Sequence, residues 1–330
     1  MNIGIAKIGQ KVYFDRNDIH VKRSNTNGNQ GLYKMITLLV DNNKDINFYI
    51  LSDSDLSDTF TVDNLHIHNN EDLDIVYVVT GLGEYEKDEV LIDKLNTLYS
   101  NGVEFKFLNE DPRCLESMNN DERMKFIPSV IITQTNDVIK YKGYRVEMLY
   151  VPIEKAICYK YDMKEHVDKD KTIIAIANTA GGRYNRIKIL SRIIGNSIIP
   201  VYGRLSEEEQ KMFCNYKGEL KYDLMMKELQ LAVSTIIIPI RRGWVTSKYV
   251  EALMYDVFPI FYKDYNVKLL DMYRYNPVIV ENHDDFYDKL LSNITPIKKE
   301  ALLERVKVWK DLEVKPFVSG KLLSEQILEV

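Results

Sequence analysis

Two arginines with the chemistry to hold a diphosphate stand at the start of a predicted helix. They are Arg183 and Arg186, and they follow the glycine pair Gly181-Gly182 and the apolar run Ile173–Ala177. A helix start presents free N–H groups and the positive end of the helix dipole, which suits a phosphate. Two guanidiniums suit a diphosphate better, because each stays charged and can bind two oxygens. The alternative interpretation is a tight strand-to-helix turn with two solvated arginines.

A second charged pair, Lys248 and Glu251, opens another predicted helix. Their spacing puts both side chains on one face of that helix. A carboxylate there can accept two hydroxyls of a ribose, and the lysine beside it can meet a phosphate. The alternative is an exposed salt-bridged pair that contributes less than about 1 kcal/mol to stability.

An acidic loop, Asn109–Arg113, follows the predicted strand Glu104–Leu108. Acidic residues at the carboxyl end of a buried strand lie where doubly wound folds bind ligands. Glu110 or Asp111 could therefore act as a general base on a bound hydroxyl. The alternative is an Asp-Pro turn whose carboxylate caps a nearby helix.

Other acidic and histidine residues give little sign of a metal site. Asp53, Asp55 and Asp58 resemble a DxD motif but lie in a polar segment that is typical of a solvated loop. His66 and His68 alternate on a possible strand with no third ligand at a matching spacing, which indicates surface or packing roles. No Walker A sequence and no GxGxxG after a strand occur, which argues against ATPase and dehydrogenase functions.

Basic residues cluster in two segments of loop-like composition, His20–Arg23 and Lys140–Arg145. Either could contact phosphates and stack on bases, and a solvated loop is the alternative. The net charge of -5 argues against a strongly electrostatic nucleic-acid binder, although a local basic groove is compatible with it.

The bulk composition predicts a two-domain globular protein. The chain has 330 residues, of which 45% are hydrophobic and 28% charged. Its first residues lack a signal-peptide pattern and its apolar runs fall short of a membrane span, so we expect a cytoplasmic protein with no membrane partner. Three scattered cysteines indicate reduced thiols.

Short apolar runs alternate with amphipathic segments in both halves, which predicts parallel sheets with helices on both faces. The predicted strands are Asn2–Ile8, Ile46–Leu51, Ile75–Thr80, Glu104–Leu108, Val130–Thr133, Ile173–Ala177, Ile198–Tyr202, Thr235–Pro239, Phe258–Phe261 and Val278–Val280. The predicted helices include Leu32–Asp41, Asp88–Ser100, Ile187–Ile194, Tyr222–Ala232 and Lys248–Tyr255.

The charged segment Tyr161–Lys171 is predicted to link two domains. We place them at residues 1–165 and 166–300, followed by C-terminal helices at 301–330. Two such sheets that face each other would form one cleft, because their ligands bind beyond the strand carboxyl ends.

These segments, taken in order, resemble the DNA β-glucosyltransferases of T-even phages over most of the chain. The opening residues Met1–Gln10 resemble the first strand of that family and its glycine turn, here Gly9. Asp111-Pro-Arg113 stands where the family has its catalytic Asp-Ile-Arg. The charged ending with Trp309 is similar to the family's C-terminal helix.

The second half carries the resemblance to the donor site. Arg183 and Arg186 resemble the family's diphosphate-binding arginines, with the first offset by about one position. Lys248-Tyr-Val-Glu251 resembles Arg-Val-Trp-Glu, whose glutamate binds the ribose. The other positions that the resemblance assigns to the nucleotide are Gly182, Tyr202, Gly203, Leu220 and Tyr222, the last two in the loop that holds uracil in the family.

The chain also departs from the family. Gln30 aligns with an acidic residue near the sugar, and Lys248 replaces an arginine. The chain is acidic, whereas the family is basic. Lys22, Arg23, Gln30 and Arg113 are the residues assigned to the acceptor or the sugar, and these departures leave the identity of both open.

The resemblance implies a GT-B fold: two Rossmann-like doubly wound domains that face each other across a cleft, with the C-terminal helix crossing back to the first. The N-terminal domain would bind the acceptor and the C-terminal domain the nucleotide sugar.

The resemblance also implies inverting transfer from a UDP-sugar, with UDP-glucose favoured, to double-stranded DNA that carries 5-hydroxymethylated bases. Asp111 would be the base, Arg183, Arg186 and Lys248 would stabilise the leaving diphosphate, and Glu251 would fix the ribose. We expect a monomer, with Mg²⁺ or Mn²⁺ allowed for but not held by a DxD motif.

Three other functions fit the residues. The first is a GT-B glycosyltransferase that acts on a polysaccharide, a lipid or a small molecule, which the acidic net charge favours. The second is a non-catalytic protein that binds a nucleotide sugar. The third is a protein whose two cores are structural and whose basic loops only bind DNA.

Overall fold

A computed structural model describes residues 1–8, 30–51, 63–68, 70–80, 89–109, 112–133, 138–163, 167–169, 171–178, 184–289 and 296–330. They form two compact units. Unit 1 comprises Met1–Tyr159 together with Ser319–Val330, and unit 2 comprises Lys160–Val318. The C-terminal residues therefore belong to the same unit as the N-terminal ones.

The secondary structure of the described residues alternates between strand and helix. The strands are β1 (Asn2–Ile8), β2 (Asn47–Ile50), β3 (Leu65–Ile67), β4 (Ile75–Thr80), β5 (Glu104–Asn109), β6 (Val130–Thr133), β7 (Val138–Tyr141), β8 (Tyr144–Tyr150), β9 (Lys171–Asn178), β10 (Val201–Arg204), β11 (Tyr216–Gly218), β12 (Ala232–Ile237), β13 (Phe258–Tyr262) and β14 (Val278–Val280). The helices are α1 (Gln30–Asn42), α2 (Glu89–Ser100), α3 (Pro112–Asn120), α4 (Arg186–Ile194), α5 (Glu207–Gln210), α6 (Tyr222–Gln230), α7 (Lys248–Met254), α8 (His283–Lys289), α9 (Pro296–Glu313) and α10 (Lys321–Glu329).

Unit 1 is built on a sheet with strand order β3-β2-β1-β4-β5-β6-β8-β7. Every pair in it is parallel except the hairpin of β7 and β8. The central strands β4 and β5 are buried along almost their whole length, as expected where helices cover both faces.

Unit 2 is built on a second, wholly parallel sheet with strand order β11-β10-β9-β12-β13-β14. Its first strand in the chain, β9, lies in the middle, and the chain builds outward from it first on one side and then on the other. This is the doubly wound arrangement, in which the strand order reverses between two central neighbours, here β9 and β12.

The predicted α/β fold with parallel sheets is confirmed, and all ten predicted strands and the five predicted helices are present within a few residues. One local prediction is wrong. The basic segment Lys140–Arg145 forms the β7–β8 hairpin instead of a loop, because Lys142 and Gly143 adopt positive φ angles of 51° and 84° that suit a tight hairpin turn. Within the predicted linker Tyr161–Lys171, the side chain of Lys169 is buried.

The helices in the described part of the chain include none that is long and apolar enough to cross a membrane.

Helix α10 is fixed onto unit 1 by a hydrogen bond and a close glycine contact. The Tyr77 hydroxyl donates to the Ile327 carbonyl at 3.1 Å, and burial raises the pKa of Tyr77 to about 12. Gly320, which precedes the helix, has a φ of +74°. A Cβ at this position would lie 2.7 Å from Cδ2 of Tyr159 and 2.9 Å from Cβ of Leu38. Only glycine therefore fits the approach of α10.

We predict that G320A lowers the free energy of unfolding by about 2–4 kcal/mol, since it adds a clash to an unfavourable backbone conformation. G102A is the matched control, because Gly102 also has a positive φ (+88°) but a Cβ there would meet no atom within 4 Å. It should cost only about 1–2 kcal/mol. Urea denaturation of both variants measures the difference, and equal losses would contradict the packing argument.

Two buried lysines, Lys169 and Lys310, lie at the C-terminal ends of helices α6 and α7 in unit 2. Nζ of Lys169 donates to the carbonyls of Gln230 and Tyr255, at 2.5 and 2.8 Å. Nζ of Lys310 donates to Oδ1 of Asp256 at 2.9 Å. Burial lowers the pKa of Lys169 to about 8, with Asp256 opposing the shift and Lys310 and Lys299 adding to it.

The lowered pKa of Lys169 makes stability depend on pH. Between about pH 8 and its ordinary pKa of 10.5, the unfolded chain holds the lysine proton and the folded chain does not. The free energy of unfolding should therefore rise with pH in this window, by up to about 1.4 kcal/mol per pH unit for one proton. K169M should lack this component, so the difference between its stability and that of the wild type should change from pH 8 to 10. Parallel pH profiles for the two proteins would contradict the prediction.

Candidate functional site

The carboxyl edge of the unit 2 sheet brings together two loops from neighbouring strands. Strand β9 ends at Asn178 and leads to α4, while β12 ends at Ile237 and leads to α7. These two strands are paired, and they flank the point where the strand order reverses. Ligands of doubly wound sheets bind at this point because the two connections leave toward opposite faces and open a crevice.

Arg186 is the first residue of α4 and is half-buried. The helix begins here because the Asn185 side chain caps it, accepting from the Lys188 N–H at 2.9 Å. Ile187, Leu190 and Ile193 bury its apolar face. The first turn of α4 contains no acidic residue to oppose the positive end of the helix dipole. This end of α4 has the electrostatics of an anion site.

Glu251 lies on the buried helix α7, where it is 6% exposed. Its Oε2 accepts from Nζ of Lys248 at 2.6 Å, and the lysine side chain is 42% exposed. A carboxylate has room for more than one donor, so this ion pair leaves Glu251 able to accept hydroxyl groups. Helix α7 is itself held by Glu313, whose carboxylate accepts from the Tyr249 hydroxyl at 3.3 Å and from the Met272 N–H at 2.6 Å.

Thr246 precedes α7 and is 8% exposed. The Tyr265 hydroxyl holds its backbone from both sides, accepting from the Thr246 N–H and donating to its carbonyl, each at 2.9 Å. Oγ1 of Thr246 is buried and has no hydrogen-bond partner among the residues that the structure describes. A buried hydroxyl without a partner is costly in a folded protein, which makes this one notable beside Lys248 and Glu251. No local sequence pattern predicts a role for Thr246.

The same holds for Asp264, just after β13. Its carboxylate accepts from the Tyr184 hydroxyl and from Nε of Arg242, both at 3.1 Å. Its carbonyl accepts from the Gly243 N–H at 2.7 Å. Burial raises the pKa of Tyr184, and the nearby Asp264 charge adds to this, so the phenol stays a hydrogen-bond donor.

The residues predicted to lie near uracil fall on the other half of the same sheet. Tyr202 is buried in β10 and its hydroxyl donates to Oε2 of Glu228 at 2.8 Å. The Gly203 carbonyl accepts from the Tyr216 hydroxyl at 2.7 Å. Leu220 is half-buried in the connection to α6, whose first residue is Tyr222. The Tyr202 hydroxyl is thus hydrogen-bonded to a side chain of α6.

In unit 1, a row of buried polar side chains crosses the carboxyl ends of three neighbouring strands. Oγ1 of Thr80 donates to Oδ1 of Asn109 at 2.7 Å, and Nδ2 of Asn109 donates to Oγ1 of Thr133 at 3.1 Å. All three residues are fully buried. Asn109 is the last residue of β5 and stands two positions before Asp111 in the sequence.

Several predicted site residues lie outside the described part of the chain: Gly9, Lys22, Arg23, Asp111, Gly182 and Arg183, together with the acidic segment Asp53–Asp58. Gln30 and Arg113 are described only as backbone positions in α1 and α3. Among the residues that are described, Arg186 lies at the start of α4, and Lys248 and Glu251 lie in α7; these helices follow the two strands that flank the order reversal.

The remaining motifs have structural surroundings. Nε2 of His68 lies 2.9 Å from the Glu71 carbonyl, and the His66 ring lies against Tyr49. Within the described ranges, no three His, Cys, Asp or Glu side chains are arranged to hold a metal ion. In the β7–β8 hairpin, Lys142 binds the Asp121 carbonyl and burial lowers its pKa, while Lys140 and Arg145 are exposed.

Two doubly wound parallel sheets in one chain define the GT-B class of fold, which solved structures share with this chain. A structure of the DNA-modifying enzyme β-glucosyltransferase matches with a TM-score of 0.69 and 13% identity, over 100% of this chain and 99% of that one. T4 phage BGT in complex with UDP-glucose matches with a TM-score of 0.64 and 14% identity, over 100% and 99% of the two chains. An apo structure of OtsA matches with a TM-score of 0.57 and 11% identity, over 100% and 98%.

These likenesses confirm the fold that the sequence resemblance implied. No protein-family model matches the chain, and no curated protein sequence matches it.

Proposed function

We propose that this protein is an inverting glycosyltransferase that moves glucose from UDP-glucose to the hydroxymethyl group of a 5-hydroxymethylpyrimidine in duplex DNA. The main observation in favour of a donor site is the pairing of β9 with β12. Arg186 follows the first of these strands, and Lys248 and Glu251 follow the second, so they flank the order reversal. The likeness to structures of T4 phage BGT, one of them in complex with UDP-glucose, supports the choice of donor.

The residues of the proposed donor site have two different roles. Arg186, with the free N–H groups of the α4 start and Lys248, would stabilise the negative charge that develops on the diphosphate as the glycosidic bond breaks. Glu251 would accept the ribose hydroxyls and fix the nucleoside. Arg183 and Gly182 belong to the same proposal by their position in the sequence.

On the acceptor side, Asp111 would take the proton from the hydroxymethyl group as its oxygen attacks C1 of the sugar. Attack opposite the leaving diphosphate inverts the configuration at C1. A base inside a duplex is out of reach, so the target nucleotide would be flipped out of the helix. No step in this scheme needs a metal ion, and Mg²⁺ or Mn²⁺ would act only as added charge on the diphosphate.

A second candidate is transfer to an acceptor other than DNA, such as a polysaccharide, a lipid or a small molecule. The net charge of -5 favours this candidate, because DNA binders that rely on phosphate contacts usually carry basic surfaces. The donor site is the same in both. A protein that binds UDP-glucose without transferring it is the non-catalytic alternative.

The test is a transfer assay with UDP-glucose and duplex DNA that carries 5-hydroxymethylcytosine or unmodified cytosine. D111N should reduce transfer by a factor of about 10²–10⁴ while UDP affinity changes by no more than a few fold. R186A should weaken UDP binding about 10- to 100-fold, the cost of losing hydrogen bonds to a charged phosphate. R192A, in the last turn of the same helix, is the matched control and should bind UDP normally.

Each outcome addresses one part of the proposal. Transfer at the wild-type rate by D111N would reject Asp111 as the base. Unchanged UDP affinity in R186A would remove Arg186 from the donor site. Release of UDP without modification of either DNA would favour an acceptor of another class.

Thr246 gives a prediction in which stability and affinity change in opposite directions. We propose that its buried hydroxyl donates to a phosphate oxygen of the donor. T246V removes an unpaired hydroxyl and keeps the shape, so it should leave the thermal stability of the free protein unchanged or higher. It should weaken UDP binding about tenfold. Calorimetry and thermal unfolding measure the two effects, and a loss of stability with unchanged UDP affinity would show a purely structural role.

A further inference from the structure

One carboxylate in unit 2 contacts both loops that the proposed donor site uses. Asp264 follows β13, and its side chain is 12% exposed. Oδ2 accepts from the hydroxyl of Tyr184, two residues before Arg186. Oδ1 accepts from Nε of Arg242, in the loop that leads to Lys248 and Glu251. Each oxygen therefore holds a different loop.

The backbone reinforces this connection. The Gly243 N–H donates to the Asp264 carbonyl at 2.7 Å, so the turn at Arg242 is attached to Asp264 through both side chain and main chain. Gly243 has a φ of +79°, which only glycine adopts easily. The turn thus has a defined conformation and presents the Arg242 guanidinium to the carboxylate.

Global stability does not account for this arrangement. The Arg242 side chain is 78% exposed, and an exposed ion pair contributes about 0–1 kcal/mol to folding. The contacts instead constrain position, because Tyr184 and Arg242 bind the two oxygens of one small rigid group. A shift of either loop would break one of the 3.1 Å contacts.

We propose that Asp264 is a positioning residue that holds the loop of Arg186 against the loop of Arg242, and so shapes the part of the donor site that receives the diphosphate. This rests on the proposed function. The ribose contact through Glu251 depends on α7, which Glu313 holds separately. Asp264 therefore affects recognition of the diphosphate and leaves recognition of the nucleoside unchanged.

The experiment compares UDP with uridine as ligands in calorimetry. D264A should weaken UDP binding about tenfold and change uridine affinity less than twofold. D264N should recover most of the lost UDP affinity, because its amide keeps an oxygen for Arg242 and can donate to the phenol oxygen of Tyr184. E281Q is the matched control: Glu281 pairs with Lys263, the residue before Asp264, and this variant should bind both ligands like the wild type.

A double-mutant cycle tests whether one carboxylate joins the loops. Y184F and R242Q should each weaken UDP binding about fivefold, and the double variant should weaken it only about tenfold, like D264A, whereas independent losses would give about 25-fold. Independent, fully additive losses would overturn the proposal, as would unchanged UDP affinity in D264A or an equal loss of UDP and uridine. If the wild type binds no UDP, the proposed function itself is wrong and this inference is rejected with it.

Discussion

The donor site proposed for unit 2 depends on the reversal of strand order between β9 and β12. Two parallel neighbours whose connections leave toward opposite faces have no helix crossing above their carboxyl ends, so backbone and side chains can meet a ligand there. The helix that follows β9 brings its positive end to this edge, and the loop that follows β12 brings the side chains of Thr246 and Lys248. An anion at this edge would be recognised by the dipole of α4, the guanidinium of Arg186 and the ammonium of Lys248 together.

The polar groups at this edge are held by partners that do not belong to the proposed chemistry. Glu313 fixes α7 through Tyr249, and the Tyr265 hydroxyl fixes the Thr246 backbone. Asp264 joins Tyr184 to Arg242. Such contacts reduce the side-chain entropy lost on binding, because they order the groups before a ligand arrives. Preorganisation of this kind is what electrostatic stabilisation of a leaving group requires.

The sequence was enough to predict most of the fold, since buried parallel strands appear as apolar runs and their helices as amphipathic patterns. It failed at Lys140–Arg145, where a two-residue turn at Lys142-Gly143 joins two strands and the charged residues Lys140 and Arg145 lie in the strands. Arg186 and Glu251 stood out because charged residues at predicted helix starts suggest ligands. Asp264 and Thr246 did not, because their importance lies in contacts between residues that are distant in the chain and no local pattern encodes them.

The two halves of the proposed reaction differ in how strongly the fold determines them. Donor recognition follows from the topology of unit 2, and a diphosphate and a ribose present the same groups whatever the acceptor. Acceptor recognition depends on loop side chains, which one fold can vary freely. In unit 1 the buried row of Thr80, Asn109 and Thr133 fixes where three neighbouring strands end, and with them where the segment toward Asp111 begins. In the proposed reaction, a fixed strand end under variable loops would let one catalytic base serve different acceptors. The acidic net charge is therefore informative about the acceptor and says nothing against the donor.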